Sequence, residues 1–159
     1  MNMTLYHIAL VTHIIGITIM AGTAFIDFIT FRALCRAYTT DVQRTVVLED
    51  YLYKLQRFLG AGMLLILASG VAMMVKLHQV WGTQLWFRIK MGVLVLIIIN
   101  GFVLRRRAGA ALKKTMEKDT SIRIRDERWK RVKKNLTGVQ VIQMVLFIII
   151  YVLSVFKFN

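Results

Sequence analysis

The chain lacks proline, has a single cysteine, and carries only 8 acidic residues against 22 basic ones in 159 residues. Broken and proline-kinked membrane helices are common in transporters, so the absence of proline predicts straight helices. The lone Cys35 excludes an internal disulfide and a metal cluster built on cysteine. Nothing resembles a Ser/His/Asp triad, a phosphate-cradling loop or a zinc site, so hydrolytic and structural-metal chemistry is not indicated.

What the chain has instead is apolar sequence, which makes up 57% of its residues. Four stretches, at 5–31, 58–75, 86–104 and 136–156, meet or approach the ~20 residues that a helix needs to cross a ~30 Å hydrocarbon core. The first is too long for the apolar region of a cleaved signal peptide and lacks a small-residue cleavage site. The sequence therefore predicts an all-α integral membrane protein, with one four-helix bundle over residues 1–159.

The basic residues indicate which way the bundle is oriented. Residues 105–135 hold thirteen Lys and Arg against four acids, and residues 32–57 hold five against three. Because Lys and Arg accumulate in cytoplasmic loops, we expect both segments to be cytoplasmic and both termini to be outside. We expect a bacterial inner membrane protein with periplasmic N and C termini.

The two basic segments also have helical character. Residues 105–135 are rich in helix formers and predict a cytoplasmic helical hairpin with a turn near Asp119–Ser121. Residues 41–57 have apolar positions at helical spacing, and the Thr39–Asp41 side chains offer an N-cap. Helices 2, 3 and 4 should therefore extend into the cytoplasm. Trp129 is the only aromatic residue in 105–135, so no nucleic-acid partner is indicated for this basic segment. Binding to anionic lipid headgroups is a weaker possibility, beside the role of these cations in fixing the topology.

Five glycines inside the first two helices are expected to serve helix packing, or to leave room for a flat ligand. They are Gly16, Gly22, Gly60, Gly62 and Gly70.

His13 lies about 12 Å along the first helix from Leu5, within the outer half of the bilayer. Polar side chains at such depth are costly and usually face a bundle interior or mark a site. Two interpretations are open: the imidazole hydrogen-bonds a neighbouring helix, or it ligates haem iron in the bundle core. His7 points to a different face and lies near the interface.

The third helix opens with two cations, Arg88 and Lys90. They are about 200° apart around a helix, so they cannot share a face. One could snorkel to lipid headgroups while the other turns inward to an anion, such as a porphyrin propionate at the level of His13. The alternative is that both snorkel.

Two more polar residues lie inside the predicted spans. Asp27 needs a cationic partner near the basic end of helix 1, and Arg57 or Arg32 is placed to supply it. Asn100, deep in helix 3, is expected to hydrogen-bond to another helix.

Three short motifs resemble a known family. His13–Gly16 followed by Ala21-Gly22 is similar to the first helix of HemJ-type protoporphyrinogen oxidases, and Leu55–Leu59 resembles the start of their second segment. Trp86–Met91 is similar to their tryptophan–lysine opening of the third segment. The resemblance extends equally to the related copper-resistance D-like membrane proteins.

The resemblance covers roughly Tyr6–Leu104 and implies a bound haem b. It would make His13 the axial iron ligand, Lys90 the functional lysine and Arg57 the second-helix arginine, with Lys90 and Arg57 as candidate catalytic residues. Arg88 stands where the family has a histidine beside the tryptophan–lysine motif, and we expect it to join Lys90 in binding propionates or a substrate.

The sixth iron ligand is open, because no second histidine lies on another span at the depth of His13. Met73 or Met74 could supply a thioether, and His78 could reach in from the outer loop. We expect a redox role, either electron transfer or oxidation of a porphyrin or a lipid-soluble, quinone-like substrate. The alternative is a non-enzymatic binding or transport-accessory protein, for copper or a small ligand, without haem. A third possibility is a subunit of a homodimer or larger membrane complex, in which His13 only links helices.

Overall fold

The structure is a computed structural model that describes residues 3–38, 40–81, 84–117 and 122–156. The described residues form helices and short connections, with no strand among them. The helices are α1 (Met3–Ala37), α2 (Val42–Trp81), α3 (Leu85–Ile98), α4 (Arg105–Glu117) and α5 (Ile122–Val155), with a π-helical segment (Ile99–Leu104) that joins α3 to α4.

Four helical rods are long and apolar enough to cross a bilayer: Met3–Ala37, Gln43–Val75, Leu85–Thr115 and Glu127–Val155. Large apolar side chains cover their outward faces; Leu64, for example, is 67% exposed. Continuous apolar surface of this kind suits lipid and not water. The prediction of an all-α, four-helix integral membrane bundle is confirmed.

The predicted extensions of the helices beyond the apolar windows are present. α2 begins at Val42, and the Asp41 carboxylate caps it by accepting a hydrogen bond from the Arg44 N–H at 2.9 Å. α4 ends at Glu117 and α5 begins at Ile122. The turn predicted near Asp119–Ser121 falls outside the described residues.

The four rods pack unequally. α1 lies against α2 along much of its length, and α5 packs against both α1 and the α3–α4 rod, whereas few close backbone approaches join the described parts of α2 and α3. α1 and α2 touch at Gly16 and Gly62, where a Cβ on either glycine would lie 3.0 Å from backbone atoms of the other helix. The expected packing role is confirmed for these two glycines. Among the described residues, the side between α2 and the α3–α4 rod therefore has few close backbone approaches, and we call it the α2–α3 seam.

The interior has two apolar layers. The first lies in the middle of the apolar windows and contains Met20, Ala24, Met63, Ile66, Ile97 and Phe147. The second lies at the end of the bundle that carries α4, here called the basic end, and contains Phe31, Leu34, Leu52, Leu112, Trp129, Val132 and Leu136. Trp129 also stacks on Tyr38 with ring centroids 3.8 Å apart. The rods therefore keep a packed core where they extend past the apolar windows.

The α3–α4 rod departs from the expected straight α-helix, although it has no proline. In the π-helical segment the Arg105 N–H donates to the Asn100 carbonyl, five residues earlier. In an α-helix, residues five apart are about 140° apart around the axis. The wider turn brings Asn100 and Arg105 onto one inward face, and both are buried.

Candidate functional site

A cavity of about 180 Å³ lies between all four rods, toward the end opposite the basic end. Its walls are mainly apolar, and the polar or charged groups that line it are few. These groups are His13 on α1, Lys90 on α3, and Tyr151 and Ser154 on α5.

The ring of His13 is held against α2. Its Nδ1 lies 3.1 Å from the Ile66 carbonyl oxygen and 2.9 Å from Ser69 Oγ, while the Ser69 hydroxyl donates to the Leu65 carbonyl at 2.5 Å. A carbonyl oxygen only accepts, so Nδ1 carries the proton in this arrangement. Nε2 then keeps its lone pair, and the ring lines the cavity.

Gly70 faces the imidazole from the next turn of α2. A Cβ at this position would lie 3.7 Å from His13 Cε1, which is ordinary van der Waals contact. A methyl group fits there, whereas a larger side chain would extend over the ring. Gly70 also lines the cavity, so the absence of a side chain here leaves space beside the His13 ring.

Lys90 and Arg88 are separated as the 200° between them requires. Lys90 is half-buried and lines the cavity, whereas Arg88 is exposed on the other side of α3. Trp86 is buried at the start of this helix, and its Nε1 donates to Gln84 Oε1 at 2.5 Å. The tryptophan thus bonds to the residue that precedes α3, and Lys90 lines the cavity from the second turn of this helix.

Four methionines line the same cavity: Met20, Met73, Met74 and Met91. Met73 is 8% exposed, so its thioether belongs to the bundle interior. The sequence pointed to Met73 and Met74 as candidate ligands, and the structure brings both into the cavity with His13. The side chain of His78 lies outside the described part of the chain.

Two other residues considered from the sequence lie elsewhere. Arg57 is exposed on α2, with its Cζ 5.4 Å from the centre of the Tyr53 ring. It is not among the described residues that line the cavity. His7 is exposed, and its ring meets that of Tyr6 edge-on with centroids 5.8 Å apart.

Asp27 forms the expected structural ion pair, but the expected partners were wrong. Arg105 binds the carboxylate in a bidentate manner, with Nη2–Oδ1 at 2.6 Å and Nε–Oδ2 at 3.1 Å, and both side chains are 6% exposed. Arg32 lies with its Cζ 4.7 Å from the centre of the Phe28 ring. Arg57 is exposed on α2.

Amide side chains extend this ion pair toward α5. Gln140 Nε2 donates to Asp27 Oδ2 at 2.6 Å and to the Asp27 carbonyl at 3.2 Å. Asn100 Nδ2 donates to the Val139 carbonyl at 2.9 Å and to Gln143 Oε1 at 2.7 Å, which confirms its expected interhelical bond. The sequence reasoning missed Arg105, Gln140 and Gln143. Two glutamines inside the fourth apolar window were an available signal for the last two.

The chain matches no protein-family model, no curated protein and no solved structure in comparisons with each. Among the described residues, no group of three or more His, Cys, Asp or Glu side chains could hold a metal ion.

Proposed function

We propose that the chain is a b-type haem protein of the membrane with a redox role, in which His13 Nε2 is an axial ligand to iron. The observation that carries this proposal is the anchoring of Nδ1 to the Ile66 carbonyl, beside a largely apolar cavity. Histidines that bind metals usually donate their other N–H to a carbonyl or carboxylate in this way.

The number of candidate ligands also suits haem. A porphyrin provides four nitrogens, so the protein supplies only one or two axial groups. His13 provides the first, and the thioether of Met73 or Met74 is a candidate for the second because both line the cavity. An unfilled sixth position would instead leave iron open to a small molecule.

The residues that line the cavity provide apolar walls and one cation, Lys90. Aliphatic side chains suit a macrocycle, and the Lys90 ammonium suits a propionate carboxylate. The cavity, about 180 Å³, is smaller than the 300–1,000 Å³ of typical ligand pockets, so a porphyrin would also need the loose α2–α3 seam. Haem supplies one-electron redox chemistry. The chain would hold the His13 imidazole through the Ile66 carbonyl and place the Lys90 ammonium beside the bound group.

For the substrate we propose either a single-electron partner or a lipid-soluble molecule of porphyrin or quinone type. Such molecules dissolve in the bilayer and could reach the cavity between α2 and α3, where the described residues make few close backbone approaches. The resemblance to HemJ-type oxidases supports a functional role for Lys90, which lines the same cavity as His13. A catalytic role for Arg57 rests on the resemblance alone, and Arg88, exposed on α3, is proposed only to bind a propionate or a substrate.

Replacing each of two histidines on α1 tests the ligand. We expect His13→Ala, purified in detergent from cells supplied with a haem precursor, to lose the Soret band. His7→Ala, the matched control on an exposed position, should keep it. A Soret band of unchanged position and intensity in His13→Ala would remove this ligand assignment.

A second candidate function is favoured by the methionines. Thioether and imidazole ligands suit Cu(I), and Met20, Met73, Met74 and Met91 line the cavity with His13. A copper-handling protein would be colourless when purified and would bind one Cu(I) per chain. Met73→Leu with Met74→Leu should then weaken Cu(I) binding. A haem protein would show a Soret band and no such site.

For location we propose the bacterial inner membrane, with the basic end in the cytoplasm and both termini in the periplasm. Single cysteines in a Cys35→Ser background test this orientation with a membrane-impermeant maleimide. In spheroplasts, Leu85→Cys should be labelled and Lys114→Cys should not, because these exposed positions lie near opposite ends of the α3–α4 rod. The reverse pattern would invert the topology.

A further inference from the structure

A second, much smaller cavity lies beside the Asp27–Arg105 ion pair. Its volume is about 20 Å³, and Asn100, Gln140 and Gln143 are among the residues that line it. These three side chains are 3%, 4% and 5% exposed. Each has one polar atom without a hydrogen-bond partner among the described residues: Asn100 Oδ1, Gln140 Oε1 and Gln143 Nε2.

Fixed acceptors determine the orientation of all three amides. Gln140 Nε2 lies against the carboxylate and carbonyl oxygens of Asp27, which only accept, so its nitrogen cannot exchange places with Oε1. Asn100 Nδ2 lies against the Val139 carbonyl and is fixed for the same reason. Its second N–H points to Gln143 and requires the amide oxygen there.

Three polar atoms of these amides therefore lack a partner among the described residues, and two of them accept hydrogen bonds while one donates. The acceptors are the oxygens of Asn100 and Gln140, and the donor is the Gln143 amide nitrogen. A water molecule that donates two hydrogen bonds and accepts one would satisfy all three. A cation would bind the two oxygens but would face the Gln143 N–H groups, and Asp27 is already neutralised by Arg105.

We propose that this cavity is a binding site for one water molecule. A cavity must offer roughly 10–15 Å³ to a water-sized probe, and the water needs two to four polar partners. The cavity has about 20 Å³, and the three residues that carry the unpartnered atoms all line it. The site lies apart from the His13 cavity and does not depend on haem.

The water would complete the polar contacts of the π-helical segment. Asn100 belongs to this segment, while Gln140 and Gln143 belong to α5. One water would thus link two of the four rods directly, and Gln140 connects it to a third through its bond to Asp27 on α1. A buried polar group without a partner is costly in a membrane core, where no bulk water is available.

Water-edited, proton-detected NMR of the full chain in lipid nanodiscs tests the site. With ¹⁵N-labelled glutamine side chains, the Gln143 amide should show magnetisation transfer from water despite its burial. Gln43, exposed on α2, is the positive control. Absence of transfer at Gln143 while Gln43 shows it would overturn the proposal, as would a bound cation in a structure of sufficient resolution.

Gly101→Ala removes space from the same cavity without a clash. Its Cβ would lie 3.6 Å from Leu59 Cδ2 and 3.9 Å from Gln143 Oε1. We expect the water signal at Gln143 to disappear and the thermal midpoint to fall below that of Gly92→Ala. Gly92 is the matched control on α3, with no described atom within 4 Å of its Cβ position. A signal that survives Gly101→Ala would place the water elsewhere and overturn the assignment.

Discussion

Replacing Arg105 by methionine isolates the contribution of the buried ion pair. The substitution keeps an unbranched side chain of similar reach and removes the guanidinium that binds Asp27 at 2.6 and 3.1 Å. Asp27 would then retain only the bond from Gln140 at 2.6 Å. A carboxyl group that is 6% exposed would be left with one neutral donor among the described residues.

Removing one partner of a buried pair costs roughly 3–5 kcal/mol. At about 1.4 kcal/mol per factor of ten, this is a change of two to three and a half powers of ten in the unfolding equilibrium. Removing both charges should cost less, because apolar side chains of similar volume can replace a buried pair with little loss. We therefore expect Asp27→Leu with Arg105→Met to be more stable than Arg105→Met alone. Gln140 would lose its carboxylate partner and reduce the recovery by about 1 kcal/mol.

Reversible unfolding in mixed detergent and SDS micelles, followed by circular dichroism, measures these differences. Lys54→Met is the control, since Lys54 and Asp50 form an exposed pair at 2.7 Å on α2 and should contribute nothing measurable. A loss for Arg105→Met no larger than that for Lys54→Met would refute the reasoning. So would a double variant whose loss equals the sum of its two single losses.

Two further predictions concern helix packing, and a third concerns the His13 cavity. Gly62→Ala should destabilise the bundle by roughly 1–3 kcal/mol, because its Cβ would lie 3.0 Å from α1 backbone atoms, whereas Gly22→Ala, with open space around it, should not; SDS unfolding compares them. Trp129→Ala should cost roughly 3–5 kcal/mol by the same assay, because the indole is 9% exposed in the core of the basic end; an unchanged midpoint would mean that this core contributes little. Gly70→Leu should reduce haem content by covering the His13 ring, while Gly70→Ala should retain it; equal haem content in both would separate Gly70 from the site.

The membrane spans were predictable because the length of each apolar stretch can be counted in the sequence. Helical geometry predicted that Arg88 and Lys90 lie on different faces, but it left open whether either of them turns inward. The structure selects Lys90, which lines the cavity with His13. Met73 was a candidate ligand because it lies near the outer end of helix 2, and it too lines the cavity.

Arg105 was missed for a physical reason. An α-helical register would have placed it about 140° from Asn100, away from the interior. The π-helical segment brings both side chains inward, and no proline or other local signal marks its position. The sequence predicted that glycines of the first two helices serve packing, but it did not predict that Gly16 contacts Gly62. Several glycines in each helix were equally suited to a close approach.

The haem content of the purified wild-type protein tests the central claim most directly. We predict about one haem b per chain, with ¹⁵N-histidine labelling showing an imidazole nitrogen coupled to iron in the electron paramagnetic resonance of the ferric form. A colourless protein, isolated from cells with ample haem and with its helical content intact, would contradict the claim.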